Sequence, residues 1–236
     1  METLFQYVAP PSQCGYLPGQ QWSLEYEVVG QISTREYMDR LASGWRRFGN
    51  MLFRPRCRSC QACRSLRILV DQFRPNRSQK RARKGCRCVE LVIRSPSVSR
   101  NKLNLYDRYH HFQADQKNWP LHPAKDAGSY ASSFVYNPIP TEEWCYYLDD
   151  KLIGVGYVDT LPDGMSAIYF YYDPEYRHLS LGTWNVLRLI DECVDRGIPH
   201  LYLGFYVEGC QSLDYKSNFV PNQILDVDGN WVDFRI

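Results

Sequence analysis

The order of elements after residue 140 constrains the fold of this chain more than any other feature of its sequence. Residues 144–148 and 152–158 are apolar runs separated only by Asp149, Asp150 and Lys151, a spacing and a set of turn formers that predict a tight hairpin. A third strand is expected over 166–172, and Pro174 ends it. The next run, Leu181–Asp195, places Leu187, Ile190 and Val194 at helical spacing, and Gly197 and Pro199 stop the helix. A strand over 200–207, a short helix, and two short strands around Ile224 and Val232, turning at Asp228-Gly229-Asn230, close the chain. This succession of strands and helices predicts an α+β fold.

The first half is read from its punctuation. Residues 1–21 hold Pro10, Pro11, Pro18 and Gly19 and are expected to be irregular. Tyr37, Met38, Leu41, Trp45 and Phe48 recur at three and four residues, which predicts a helix over 34–48, opened by Ser33 or Thr34 and closed by Gly49. Strands are expected over 65–73 and 88–93, ended by Pro75 and by Ser95-Pro96. Helices are expected over 99–116 and 126–135.

With 236 residues, 44% of them hydrophobic, the chain can bury a full core as one large domain or two small ones. It has no apolar run of about 18 residues to span a bilayer, and residues 1–19 lack the basic start and apolar core of a secretory signal. A cytoplasmic protein without a membrane partner is expected. Its nine cysteines are odd in number and locally clustered, which favours thiols or metal ligands over a disulfide framework.

Charge is strongly segregated along the chain. Between Arg40 and Lys102 lie 18 of the 28 Lys and Arg residues and only two acids, Asp71 and Glu90, although the whole chain carries only +2. Such a one-sided stretch is the electrostatic footprint of a polyanion partner. Arg74, Arg77, Lys80, Arg81, Arg83 and Lys84 follow one another with no acid between them, as phosphate neutralisation requires.

The phrase YDPEYRHLSLGTWNVLRLIDECVDRGIPHLYLG, residues 172–204, resembles the central strand, phosphate-binding turn, helix and next strand of the acetyl-CoA-dependent N-acetyltransferase (GNAT) superfamily. The resemblance implies a turn at Arg177, Ser180 and Gly182 whose backbone N–H groups meet phosphate at a helix N-terminus. Ser180 stands where that pattern has its first glycine, so it is either an altered phosphate turn or an ordinary Ser cap.

Three further motifs, CGYLP from Cys14, GWRRFGNMLFRPRCRSCQACRSLRI from Gly44 and FRPNRSQKR from Phe73, resemble in order the bacterial aminoacyl-tRNA protein transferases, leucyl-transferring relatives of the eukaryotic arginyl-transferases. The resemblance implies a smaller Cys- and Arg-rich N-terminal domain over 1–84, followed by a GNAT-like catalytic domain over 85–236. It implies transfer of leucine from leucyl-tRNA to the N-terminal amine of proteins beginning with Asp or Glu, marking them for degradation; arginine is the alternative donor. Arg46, Arg54, Arg74, Arg77, Lys80, Arg81 and Lys84 are then expected to bind tRNA or the acceptor's carboxylate, and the sequence does not separate the two. Cys57, Cys60 and Cys63 have the compact spacing of thiolate ligands, and Cys14 can supply a fourth for Zn or an iron–sulfur cluster. The alternative for these cysteines is reduced, packed thiols.

The implied chemistry is aminolysis of an activated ester. An N-terminal amine, with a pKa near about 8, is partly neutral at physiological pH and needs no strong base or cofactor. Asp173 is expected either to orient or deprotonate that amine, or simply to form the turn before Pro174. No nucleophile motif points to a covalent intermediate. Two other functions fit parts of the chain: an acetyl-CoA-dependent N-acetyltransferase fits the second half, and a non-catalytic, metal-stapled RNA-binding module fits the cysteines and their neighbouring bases.

Overall fold

The computed structural model describes residues 1–117, 119–121 and 123–235. In chain order it contains β1 (Glu2–Val8), β2 (Ser12–Gln13), β3 (Gln21–Trp22), β4 (Leu24–Gln31), α1 (Thr34–Ala42), β5 (Arg46–Phe48), β6 (Met51–Pro55) and β7 (Arg64–Leu69). There follow α2 (Arg77–Gly85), β8 (Glu90–Arg94), α3 (Arg100–Lys117), α4 (Ala127–Phe134), β9 (Thr141–Leu148), β10 (Lys151–Leu161) and β11 (Gly164–Tyr172). Last come α5 (Leu181–Asp195), β12 (His200–Tyr206), β13 (Asn222–Leu225) and β14 (Trp231–Arg235). Short 3-10 turns occupy Val70–Gln72, Pro174–Leu179 and Asp214–Asn218.

The fold is mixed α+β. An eight-stranded sheet runs β14-β13-β7-β12-β11-β10-β9-β8, and a four-stranded sheet runs β1-β4-β6-β5. Within the large sheet every pair is antiparallel except β11 with β12, which the α5 crossover makes parallel. The β9–β10 hairpin turns at Asp149 and Asp150 with φ of 49° and 62°, the left-handed pair that a type I′ turn requires.

Strand alternation sends neighbouring side chains to opposite faces of this sheet. On one face Trp144, Tyr146 and Ile153 pack with Leu187 and Ile190 of α5. On the other, Cys145, Val155, Tyr157 and Tyr171 pack with Leu105 of α3 and with Tyr130 and Phe134 of α4. A third cluster joins Val29, Tyr37, Leu41, Trp45 and Leu52 to Leu161 and Tyr202, seating the small sheet and α1 on the large one.

The N-terminal third departs most from expectation. The helix predicted over 34–48 ends at Ala42: Ser33 and Glu36 form the capping box at its start, but Gly44, at φ 88°, releases the chain and Arg46–Phe48 re-enters as β5. Residues 1–21, expected to be irregular, contain β1, paired antiparallel with β4. Strands β4 and β6 have no counterpart in the expectations. The division at residue 84 does not separate two bodies, because β7 lies inside the large sheet between β12 and β13, and α2 packs on α5.

Candidate active site

Strands β11 and β12 are paired only at Met165 with Leu201 and Ser166 with Tyr202. Beyond that point they diverge, and the gap is a cavity of about 540 Å³ bounded by residues 166–170 of β11, residues 203–205 of β12 and the first turn of α5. Tyr16, Phe48 and Phe53 from the N-terminal segments close one side. A parallel pair that splays this way leaves two strand edges and a helix N-terminus facing one space, the usual place for a ligand in an α/β crossover.

The turn into α5 is built by Asp173 and Ser180. Asp173 is almost fully buried, accepts a hydrogen bond from the Glu175 N–H at 3.2 Å and pairs with Arg108 at 2.9 Å and Lys151 at 3.2 Å. Its carboxylate is thus occupied as a cap and ion-pair partner, and Asp173 is not among the cavity-lining residues, so the catalytic role expected for it has no geometric support. Ser180 adopts φ 57° and ψ 45°, the left-handed conformation that glycine would take more easily, and its side chain makes no capping hydrogen bond. It is therefore not an ordinary Ser cap. The N–H groups of Leu181, Gly182 and Thr183 have no acceptor within the helix and border the cavity. Nothing lies within 4 Å of where a side chain at Gly182 would begin, so a ligand can approach this backbone. Arg177 is exposed and outside the cavity lining.

Folding cancels part of the charge segregation. Arg40 pairs with Glu27, Arg47 with Asp159, Arg54 with Glu25, Arg83 with Asp191, and both Arg94 and Lys102 with Glu143. Of the expected binders, Arg54 is thereby committed, with its guanidinium 4.6 Å from the Trp45 ring centre. Arg46 lines the cavity. Arg74 is exposed and donates to the Phe73 carbonyl at 2.7 Å. Arg77, Lys80, Arg81 and Lys84 are exposed on α2, whose start is fixed by a capping box between Asn76 and Gln79. Lys80 and Lys84 line an open groove of about 480 Å³ together with Arg83, Arg87 and Arg188. The floor of this groove includes Trp184, whose buried indole N–H has no acceptor among the described residues. The groove and the cavity thus flank the same first turns of α5.

The cysteines converge, though not as ligands. Burial pushes the Cys63 thiol up to about 12, and the nearby thiols of Cys14, Cys57, Cys60 and Cys210 push in the same direction. Cys14 Sγ instead accepts from the N–H groups of Tyr16 and Leu17, each at 3.4 Å, and Cys57 Sγ donates to the Ser23 carbonyl at 3.8 Å. Among the described residues no three His, Cys, Asp or Glu side chains are placed around a common ion. The expected Zn or iron–sulfur set of Cys14, Cys57, Cys60 and Cys63 is not gathered around one ion position in this arrangement.

Two features escaped the sequence. Lys216, in the turn Asp214–Asn218, lines the cavity; burial pushes its amine down to about 7, with Arg46 adding to the shift. No periodicity or motif marks it. An apolar branch of about 290 Å³ adjoins the cavity, sharing Tyr16, Phe48, Phe53 and Phe205 with it and adding Leu24 and Met51; among the described residues no charged side chain lines it.

The chain is similar to known proteins along most of its length. The family models described as arginine-tRNA-protein transferase, N terminus, and arginine-tRNA-protein transferase, C terminus, match residues 12–81 and 101–226. An aspartate/glutamate leucyltransferase of Campylobacter jejuni subsp. jejuni is 36% identical over 90% of this chain and 89% of its own length. Its counterpart in Marinobacter nauticus is 34% identical over 98% of this chain and 96% of its own. Among solved structures, FemX aligns with a TM-score of 0.45 at 7% identity, covering 86% of this chain and 79% of that one. Both family models lie in order along the chain and together match most of it, and the leucyltransferase relatives match nine-tenths of it or more, so this protein belongs to the arginine-tRNA-protein transferase family.

Proposed function

We propose that this enzyme transfers leucine from leucyl-tRNA to the N-terminal amine of proteins beginning with Asp or Glu, in the cytoplasm where charged tRNA is made, and so marks them for degradation. The observation that carries the reading is the cavity at the divergence of β11 and β12, which combines a helix N-terminus, a cationic wall and an uncharged apolar branch. The aminoacylated 3′ end enters past Ser180 and Gly182, where the α5 N–H groups receive its terminal phosphate, as in the GNAT-like folds this half of the chain resembles. The leucyl side chain fills the apolar branch, where an arginyl guanidinium would be buried without a partner. The acceptor's amine, partly neutral at physiological pH, attacks the ester carbonyl; a C–N bond forms, the C–O bond to the ribose breaks, and the proton released by the amine ends on the ribose oxygen. The protein's contribution is orientation and a polar setting for the developing charge, without a metal or a covalent intermediate.

The direct test supplies leucyl-tRNA or arginyl-tRNA with peptides beginning in Asp, Glu or Ala. Extension of the acidic peptides by one leucine is expected; extension by neither donor, or acetylation from acetyl-CoA instead, would overturn the reading.

The α2 groove is assigned to the tRNA backbone. Each phosphate-contacting base adds roughly 0.7 to 0.9 to the magnitude of the slope of log affinity against log salt, so Lys80→Ala with Lys84→Ala should lower it by about 1.4 to 1.8. Both residues are exposed, so thermal stability should hardly move. An unchanged salt slope would make the groove a solvated surface.

A further inference from the structure

Arg46 and Arg47 are neighbours on β5 with opposite fates. Arg47 is fully matched: its Nε donates to Asp159 at 2.9 Å, and its other nitrogens reach the Gly49 carbonyl, Asn137, Thr141 and Asp159. Arg46 is only 6% exposed, and its single hydrogen bond runs from Nη1 to the Trp45 carbonyl at 2.9 Å. Its Nε and Nη2 are buried with no partner among the described residues. The guanidinium is held by ring faces instead, 5.6 Å from the centre of Phe205 and 5.9 Å from that of Tyr202.

A second cation lies close to Arg46, beside Gly204. At φ 83° this glycine follows a register shift in the pairing of β12 with β7, and a Cβ there would lie 3.5 Å from Lys216 Nζ and 3.7 Å from Arg46 Nε. Both cations therefore lie beside the same backbone position. Lys216 is anchored through a hydrogen bond from Nζ to the Phe205 carbonyl at 2.8 Å. Among the described residues, no Asp or Glu lines this cavity. A buried guanidinium with two open N–H groups beside a half-buried amine is costly unless an anion completes it, and a planar carboxylate matches the guanidinium edge.

We propose that Arg46 and Lys216, both beside Gly204, form the receptor for the side-chain carboxylate of the acceptor's N-terminal Asp or Glu. The assignment rests on the transfer reaction above and gives that site its acceptor selectivity. It separates two binding tasks: the exposed bases of α2 serve the tRNA, and this pair serves the acceptor. A carboxylate in place would also hold the Lys216 amine charged. The depth of the pair, between aromatic rings inside the cavity, suits a side chain entering end-on better than a phosphodiester backbone.

The test compares the full-length wild type with Arg46→Met and Lys216→Met on peptides identical except for Asp or Asn at the first position. The wild type should favour the Asp peptide in kcat/KM by about a hundredfold or more, because a receptor built for a carboxylate rejects the neutral analogue. Arg46→Met should bring the Asp-to-Asn ratio to within about tenfold of unity, and Lys216→Met should lower it less, while affinity for leucyl-tRNA stays as in the wild type. The melting temperature should hold or rise, because an apolar side chain of similar length replaces an unmatched buried charge. If the ratio survives both changes, or leucyl-tRNA affinity falls instead, the pair serves another anion and the proposal is wrong. If the wild type transfers leucine to neither peptide, the reading of the reaction fails, and calorimetric titration of the peptides decides the receptor alone: an Asp preference abolished by Arg46→Met supports it, and no preference overturns it.

Discussion

Lys102→Met is expected to lower the unfolding free energy by about 3 to 5 kcal/mol, a large share of the roughly 5 to 15 kcal/mol that holds a domain folded. Lys102 is 1% exposed, and its Nζ donates to Glu143 Oε1 at 2.6 Å and to the carbonyl and hydroxyl of Ser97. Glu143 is fully buried, and its other oxygen accepts from the Tyr157 hydroxyl at 3.0 Å, which continues through Tyr130 to Tyr171. The methionine would leave this carboxylate in the core with only Arg94, at 3.0 Å from the exposed side, as a charged partner. Urea unfolding measures the loss, and adding Glu143→Leu should restore much of it by removing the stranded charge. A double variant no more stable than the single one would show that the pair is not coupled. The pH dependence follows from the same contacts. Burial alone would raise the Glu143 pKa, but the hydrogen bond and charge of Lys102 outweigh it and hold the group below its ordinary 4.5. Its contribution is therefore fully present above about pH 4.5 and lost as pH falls through the lower folded value; in Lys102→Met the acid limb should move to higher pH.

Met51→Glu should cut leucyl transfer by about tenfold to a hundredfold and raise transfer from arginyl-tRNA. Met51 is half-buried on β6 and faces the uncharged branch beside the cavity. Burying a leucine side chain there is worth about 1.5 to 3 kcal/mol, and a carboxylate in the branch forfeits that gain while offering a guanidinium the partner it lacks. Met51→Leu keeps volume and polarity and should retain wild-type selectivity. The readout is kcat/KM with each donor. If Met51→Glu still transfers leucine at the wild-type rate, the leucyl group lies elsewhere.

How far the sequence carries differs from element to element. The helix Leu181–Asp195 and the positive φ angles at Asp149 and Asp150 follow from spacing and turn chemistry within a few residues. The same periodicity misled over 34–48, because Trp45 and Phe48 continue a helical spacing that Gly44 breaks. Strand β1 was invisible because all seven of its residues are exposed and carry no alternation; it exists through pairing with β4, some twenty residues away. The basic segment was legible as charge, but its acidic partners come from both flanks of the chain, and only folding decides which bases remain for a ligand.

The sequence by itself therefore determined the family, the α+β class, the second-half elements and the presence of a cationic face, because periodicity, turn residues and motif spacing are short-range properties. The tertiary structure alone decided that β7 crosses the expected domain division, that Asp173 is consumed as a cap, that the four cysteines converge without forming a ligand set, and that Arg46 and Lys216 both lie beside Gly204. These two cations stand far apart in sequence, and what joins them is that both are held against β12, Arg46 over the rings of Tyr202 and Phe205 and Lys216 on the Phe205 carbonyl, a long-range consequence of packing that leaves no local pattern.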